Sequence, residues 1–190
     1  MKKILRSTLA VAAAALFTVS SRADDNIPAT TPALAPTVVA VSCGYQYSVL
    51  GNVGSPSNPS SFGDVYVTLG SSSASQSSTP SGQLIFTEHV NAAVAANSGA
   101  QLRILTGADI CTVVASDWED ANPVSGAVGE DVWYTYENQE ATPIPGVVML
   151  VSNDGGNTVW AFTLDSATAS IVTPNPLTIQ GTITINVNQL

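Results

Sequence analysis

The chain has 190 residues, of which 45% are hydrophobic and only 10% are charged, with 5 basic residues against 14 acidic ones. This length suits one domain with an extension, and the composition excludes collagen, coiled coils and highly charged disordered chains. Residues that commonly carry chemistry are scarce, because the sequence has one histidine, two cysteines and no glycine-rich phosphate loop.

The N-terminus has the three parts of a secretory signal peptide. Met1–Arg6 is positively charged, Leu9–Val19 is an apolar stretch too short to span a bilayer, and Ser21–Ala23 places small residues at positions −3 and −1 of a cleavage site. We predict a signal peptide over residues 1–23 and a mature chain that begins at Asp24; the alternative is a retained N-terminal anchor. The predicted location is the periplasm, the cell surface or the medium.

Cleavage at this site changes the charge balance strongly. The mature chain would keep all 14 acidic residues and a single basic residue, Arg103, which gives a formal charge of −13. Such a polyanion repels phosphate groups, so the charge excludes nucleic acids and anionic membrane surfaces as partners, and we expect no membrane span after cleavage. Because only Arg103 can form ion pairs, stability must come from apolar burial, backbone hydrogen bonds and any covalent link.

Cys43 and Cys111 are the only cysteines, and export would place them in an oxidising compartment. We predict that they form one disulfide. It would close a loop of 67 residues, which stabilises the fold by roughly 4 kcal/mol in the chain-entropy account. Two cysteines and one histidine do not suffice for a structural zinc site.

An alternation of apolar and polar residues with period two dominates the mature chain. From Val39 to Val49 the odd positions are apolar or aromatic, which predicts a half-buried strand with Cys43 on its inner face. Leu177–Val187 alternates in the same way and predicts a long last strand with a bend or bulge at Gly181. Shorter strands are predicted at Val65–Leu69, Gln83–Glu88, Gln101–Thr106, Ile110–Ala115, Val132–Tyr136, Val147–Val151, Thr158–Leu164 and Ala169–Thr173.

Turn residues separate these strands at short intervals. Asn153–Asn157 (NDGGN) predicts a hairpin, and Thr142–Gly146 and Thr173–Pro176 are proline-containing breakers. Glu88–Asn97 is the one segment that could be helical. We therefore predict an all-β fold: an antiparallel β-sandwich of immunoglobulin-like, Greek-key type with about ten strands and at most one short helix. A closed barrel is the alternative.

Two stretches lie outside the regular pattern. Residues 24–36 form an arm rich in Pro, Ala and Thr, which favours an extended conformation. Ser55–Gly82 is rich in serine and predicts a flexible loop or a site of O-glycosylation around its one short strand. The predicted organisation is therefore a signal peptide, the arm, and a single sandwich domain over residues 37–190.

The single histidine makes nucleophilic catalysis improbable on the sequence. His89 follows Glu88, and no G-x-S-x-G motif occurs. We interpret His89 as a residue of an edge strand or a crossover, and we predict no catalytic residue.

Acidic residues next to tryptophans form the other candidate site. One cluster surrounds Trp118 and a second precedes Trp133, so the two indoles are candidates for stacking on a sugar. Paired carboxylates also allow hydrolysis of a glycosidic bond, and carboxylate oxygens suit a weak Ca²⁺ site better than catalysis. We expect no cofactor other than this calcium ion. The candidate calcium ligands are Asp117, Glu119, Asp120, Glu130 and Asp131, with Asp154 as a further carboxylate.

The two ends of the chain resemble the immunoglobulin-like subunits of bacterial surface fibres. The resemblance rests on the alternating segment Leu34–Val49 and on the terminal strand Leu177–Val187. It implies a subunit whose N-terminal arm completes the sheet of the next subunit. The sequence departs from that pattern in the wide spacing of its cysteines and in ending on Asn188–Leu190 without a tyrosine.

These observations favour a secreted structural or adhesive protein that associates with itself by β-strand addition. A surface-glycan-binding module, with or without a requirement for Ca²⁺, is the first alternative. A hydrolase that uses carboxylates is the second.

Overall fold

The computed structural model of the protein describes residues 36–137 and 140–190. The predicted signal peptide and all of the N-terminal arm except Pro36 lie outside the described residues. Within those ranges, no helix combines the length and the apolar character that a membrane crossing requires.

The described chain folds into thirteen strands, one α-helical turn, Asp117–Asp120 (α1), and two 3-10 turns, Pro59–Phe62 and His89–Asn91. The two longest strands are the last two in the chain. Their bounds are Val38–Ala40 (β1), Tyr45–Gly54 (β2), Val65–Leu69 (β3), Ala74–Ser77 (β4), Leu84–Thr87 (β5), Ala93–Ala96 (β6), Gln101–Thr106 (β7), Asn122–Val124 (β8), Gly129–Glu137 (β9), Glu140–Pro143 (β10), Val147–Ser152 (β11), Trp160–Pro174 (β12) and Leu177–Gln189 (β13).

All strand pairs are antiparallel, and they form two sheets. The larger sheet has the order β1-β2-β13-β12-β11-β7-β8, with the β9–β10 ribbon joined to β12, and the smaller sheet has the order β4-β3-β5-β6. Alternate residues of both sheets point into one apolar core, which the period-two pattern dictates. This core includes Tyr45, Tyr47, Val67, Phe86, Trp133, Met149, Phe162 and Ile185. The prediction of an all-β sandwich is confirmed.

A second, smaller core lies on the other face of the larger sheet. All six residues of β11 are buried, because the main core covers one face of this strand and the segment Gly107–Ala121 covers the other. We call this segment the lid. Trp118 of the lid packs with Val148 and Leu150 of β11 and with Val159.

The disulfide Cys43–Cys111 is confirmed, with the two Cα atoms 5.3 Å apart. Its surroundings differ from the prediction, because Cys43 lies in the bend between β1 and β2. The predicted strand Ile110–Ala115 is wrong. Asp109 takes up the backbone N–H groups there: its carboxylate accepts a hydrogen bond from the N–H of Cys111, and its carbonyl accepts one from Val113. The disulfide therefore ties the lid to the turn before β2.

Two further segments correct the predictions. Glu88–Asn97 is not helical: a 3-10 turn at His89–Asn91 is followed by β6. The serine-rich stretch contains the short strand β4, which alternation could not predict because both of its faces are polar and partly exposed.

The predicted irregularity at Gly181 is confirmed as a register shift between Gln180 and Thr182 against β2. The reason is a close approach, because a Cβ atom on Gly181 would lie 2.1 Å from the carbonyl oxygen of Val90. The neighbouring turn is strained, with positive φ at Glu88, Val90 and Asn91. Glycine at position 181 is therefore what lets this turn dock on the larger sheet.

Candidate functional site

The outer edge of β2 is closed by the side-chain amides of two residues from other elements. The N–H of Leu50 donates to Oε1 of Gln76 at 2.8 Å, and Nε2 of Gln76 donates back to the Leu50 carbonyl at 2.9 Å. The N–H of Asn52 donates to Oδ1 of Asn91 at 2.9 Å. We call Leu50–Asn52 the sealed β2 edge, because its backbone groups are paired as a neighbouring strand would pair them.

The side-chain amide of Asn91 is anchored by further hydrogen bonds. Asn91 is fully buried, and its Nδ2 donates to the carbonyls of Gly63 and Phe86. A third amide repeats the device inside the smaller sheet, where Gln83 pairs with both the N–H and the carbonyl of Leu69. At Leu50, Asn52 and Leu69, a side-chain amide thus takes the place of a neighbouring peptide group.

The far half of β12 shows the opposite arrangement. This strand pairs with β11 only over Trp160–Phe162 and with β10 only at Ala167. Beyond Ala167, no described residue pairs with this side of the strand. We call the outer side of Thr168–Pro174 the β12 edge. It is a row of backbone donors and acceptors of the kind that a further strand can join.

The β12 edge is exposed and uncharged, with polar and apolar residues mixed. Every residue from Thr168 to Pro174 is exposed, and the side chain of Ile171 is 62% exposed, the most of any large apolar residue described. Two features of the described chain blunt this edge, namely a register shift between Ile171 and Thr173 and the proline at 174. The segment Thr168–Ile171 therefore keeps regular pairing geometry.

The β12 edge is also held rigidly by the turn that follows it. The hydroxyl of Thr173 donates to the carbonyl of Pro176 at 2.7 Å and lies 2.7 Å from the hydroxyl of Thr178. On its inner side the strand pairs with β13 along most of its length, with register shifts between Leu164 and Ser166 and between Ile171 and Thr173. Because the edge is already ordered, a strand that adds to it has less conformational entropy to remove.

Trp118, a predicted sugar-stacking residue, is buried. Its side chain is 2% exposed and lies between β11 and Gly156, where a Cβ atom would come within 2.6 Å of the indole. The guanidinium of Arg103 lies 4.6 Å from the ring centroid and donates to the Trp118 carbonyl at 2.7 Å. The indole thus holds the lid on the sheet and offers no face to a glycan.

Trp133 is a residue of the main core and is also 2% exposed. Its indole N–H donates to the carbonyl of Ala92, and its ring lies against Phe86 and Phe162. Stacking on a sugar requires an exposed indole face, and neither Trp118 nor Trp133 provides one.

The predicted calcium ligands do not converge. Within residues 36–137 and 140–190, no three Asp, Glu, His or Cys side chains lie together as a metal site would need. Asp117 accepts from the N–H of Val114 in the lid, while Glu130 and Asp131 are exposed at the start of β9. Asp154 accepts from the N–H of Thr158 and from a serine hydroxyl within its turn, and these hydrogen bonds lower its pKa.

His89 lies beside a shallow concavity of about 530 Å³ whose lining includes Asp64, Thr87 and Glu88. The imidazole packs edge-on against Phe62 with ring centroids 5.3 Å apart, and the desolvation of the ring lowers its pKa. The hydroxyl of Thr87 donates to Asp64 at 2.7 Å, so this carboxylate is engaged without the histidine. This grouping lacks the hydrogen bond from a nucleophile to a base that a catalytic triad needs.

The β12 edge and the sealed β2 edge were not anticipated as sites. The only signal in the sequence was the alternating, uncharged segment Ala169–Thr173. No family model, curated protein or solved structure matches the chain.

Proposed function

We propose that this protein is a structural or adhesive protein of the cell surface or extracellular space, and that it associates with itself by β-strand addition. The observation that carries the proposal is the contrast between two edges of one sheet. Side-chain amides close the edge at Leu50–Asn52, whereas the edge at Thr168–Pro174 is exposed, uncharged and without a described partner. An edge of this kind binds another strand through main-chain hydrogen bonds.

The charge distribution supports the same proposal. In the mature chain the only basic residue, Arg103, is already engaged with Trp118. The predicted mature chain therefore has a large net negative charge, and two copies repel each other except where charge is absent. Thr168–Pro174 contains no charged residue. Charge therefore does not oppose contact between copies at the β12 edge.

The disulfide supports export. A bond of this kind persists in the periplasm, on the cell surface or in the medium. Its loss would release the lid from the turn before β2, which gives the fold a reason to depend on an oxidising compartment. The disulfide and the predicted signal peptide together support export, and the proposed structural role depends on export.

The proposal is tested by sedimentation equilibrium and electron microscopy of the purified protein. We expect reversible association, weakened at least tenfold by Ile171→Lys, because a charge on the β12 edge opposes strand addition. The matched control is Val114→Lys, since Val114 is a 54% exposed valine of the lid and receives the same charge. A monomer at all concentrations, or equal association of both variants, contradicts the proposal.

Removal of residues 24–36 tests the arm separately. If the arm donates a strand, the truncated protein loses association even with the β12 edge intact. If the arm is only a linker, association is unchanged, and the β12 edge alone accounts for it.

A further inference from the structure

We infer that the Cys43–Cys111 disulfide is an accessible site of thiol–disulfide exchange, and that its reduction by a dithiol frees the outer part of the lid from the sheet. We call residues Asp109–Ser116 the outer lid. The juxtaposition that carries this inference is an accessible disulfide fastening a segment that has few other attachments. It is independent of the proposed self-association.

Apart from the disulfide, the outer lid is weakly attached to the rest of the domain. Of its eight residues, only Val113 is buried, and six are exposed. Its backbone N–H groups donate to Asp109 and Asp117, which belong to the lid itself. Among the described residues, the hydrogen bonds of the outer lid thus all stay within the lid, and they do not hold it on the sheet.

The two ends of the lid are attached more firmly than its outer part. At the first end, the N–H of Ala108 donates to the carbonyl of Gly146 at 3.0 Å. At the second end, the side chain of Trp118 is 2% exposed, and its ring centroid lies 4.6 Å from Cζ of Arg103. Loss of the disulfide therefore frees the segment between these two attachments and leaves both ends in place.

Solvent reaches the disulfide. Cys111 is exposed and Cys43 is half-buried, and exposed disulfides are the ones that exchange readily with thiols. The sequence contains no third cysteine, so an internal thiol cannot reshuffle the bond. The lid therefore has two covalent states, one with the outer lid fastened and one with two free thiols.

The exchange takes two steps and moves two electrons. A thiolate of the dithiol attacks Sγ of Cys111, the S–S bond breaks, and Cys43 leaves as a thiolate that takes up a proton. The second thiolate of the dithiol then attacks the mixed disulfide and releases Cys111, which is protonated in turn. The dithiol is oxidised to a disulfide, and the two protons it loses balance the two that the cysteines gain.

Reduction changes the surface on the outer face of the larger sheet. Val113 of the outer lid belongs to the small core that includes Val148 and Leu150 of β11. Val113 is 6% exposed in the oxidised protein, and the two β11 residues are fully buried. A segment with so little buried surface opens locally, without unfolding of the whole domain. Departure of the outer lid therefore exposes apolar groups while the main core stays intact.

Amide hydrogen exchange by NMR tests the inference on the full purified protein, before and after treatment with dithiothreitol under native conditions. We expect the N–H groups of Thr112, Val113 and Val114 to exchange faster after reduction, by about tenfold or more. The N–H of Ala121, at the anchored end of the lid, should change by less than about twofold. Labelling with N-ethylmaleimide counts the thiols, and circular dichroism reports whether the domain stays folded.

Two variants separate the disulfide from the apolar contact. Cys43→Ser/Cys111→Ser should show the fast exchange without reductant, and dithiothreitol should cause no further change. Val113→Ala keeps the disulfide, so its oxidised form should retain the slow exchange of Thr112 and Val114 to within about threefold.

Three outcomes overturn the assignment of a redox-sensitive lid. Dithiothreitol releases no thiols from the folded protein, the reduced protein unfolds as a whole, or oxidised Val113→Ala exchanges as fast as the reduced protein. Release of two thiols together with faster exchange in the outer lid alone supports it. None of these outcomes bears on self-association at the β12 edge.

Discussion

Replacement of Gln76 by alanine tests whether side-chain amides close the β2 edge. Gln76 forms two hydrogen bonds with the backbone of Leu50, at 2.8 and 2.9 Å, and both are partly buried. Gln76→Ala leaves a peptide N–H and a carbonyl without these partners. Since each lost bond to a buried group costs about 1 kcal/mol or more, we expect the free energy of unfolding to fall by about 2 kcal/mol.

The control is Gln46→Ala. Gln46 also lies on this side of the molecule and donates to Asn186 at 3.2 Å, but this bond joins two side chains and leaves no backbone group exposed when it is lost. We expect a change below about 0.5 kcal/mol. Urea unfolding measures both variants, and amide hydrogen exchange measures the protection of the Leu50 N–H directly.

Two results would refute the reasoning. One is an equal loss of stability in Gln76→Ala and Gln46→Ala, and the other is an unchanged exchange rate of the Leu50 amide in Gln76→Ala. If the reasoning holds, the opened edge should also increase association. That increase should persist when Ile171→Lys is added, because the newly opened edge lies on a different strand.

Three further predictions concern stability and processing. Replacing Cys43 and Cys111 by serine should lower the free energy of unfolding by roughly 4 kcal/mol, measured in urea, because the 67-residue loop is released; a loss below about 1 kcal/mol contradicts this. Burial raises the pKa values of Tyr45 and Tyr47 to about 12. The unfolded chain therefore loses these tyrosine protons at a lower pH than the folded chain. The stabilisation by the buried, neutral tyrosines is complete below pH 10 and is lost as the pH rises towards 12, by up to about 5 kcal/mol. Tyr47→Phe should remove about half of this pH dependence in alkaline denaturation curves. The mass of the exported protein should correspond to a chain that begins at Asp24, and an intact N-terminus would exclude the predicted cleavage.

The sandwich could be predicted because its central strands follow simple alternation. Tyr45, Tyr47 and Val49 face the core with polar residues between them, and Ile183, Ile185 and Val187 repeat the pattern on the adjacent strand. The alternation of neighbouring residues is sufficient to predict such strands, since one face of each strand is buried and the other faces solvent.

The lid could not be predicted in the same way. The alternation of Cys111, Val113 and Ala115 suggested a strand, but Asp109 binds the backbone N–H groups that a strand would need. Trp118 stands among acidic residues, which are usually exposed. Its burial depends on Arg103 and on Gly156, which lies 38 positions later in the chain. Contacts between distant parts of the chain decide these features, and a short sequence window does not contain them.

The candidate site escaped sequence reasoning for a related reason. Gln76 lies in a serine-rich stretch without pattern, 26 residues from the peptide group it binds. The openness of the β12 edge depends on where β10 and β11 stop pairing with β12. The sequence showed an uncharged strand at Ala169–Thr173, but only the sheet order shows that one of its sides is without a described neighbour.

The scarcity of basic residues explains why this protein closes an edge with amides. Proteins commonly protect strand edges with lysine, whose charge repels an incoming strand. The predicted mature chain has no lysine, and its one arginine stabilises the lid. Additional carboxylates would increase the repulsion among the acidic residues of the protein. A strand edge can then be protected by a neutral side chain that forms hydrogen bonds with the exposed backbone groups. Glutamine and asparagine do this at Leu50 and Asn52, whereas no such group from residues 36–137 or 140–190 closes Thr168–Pro174, and this contrast is what supports the proposed strand addition.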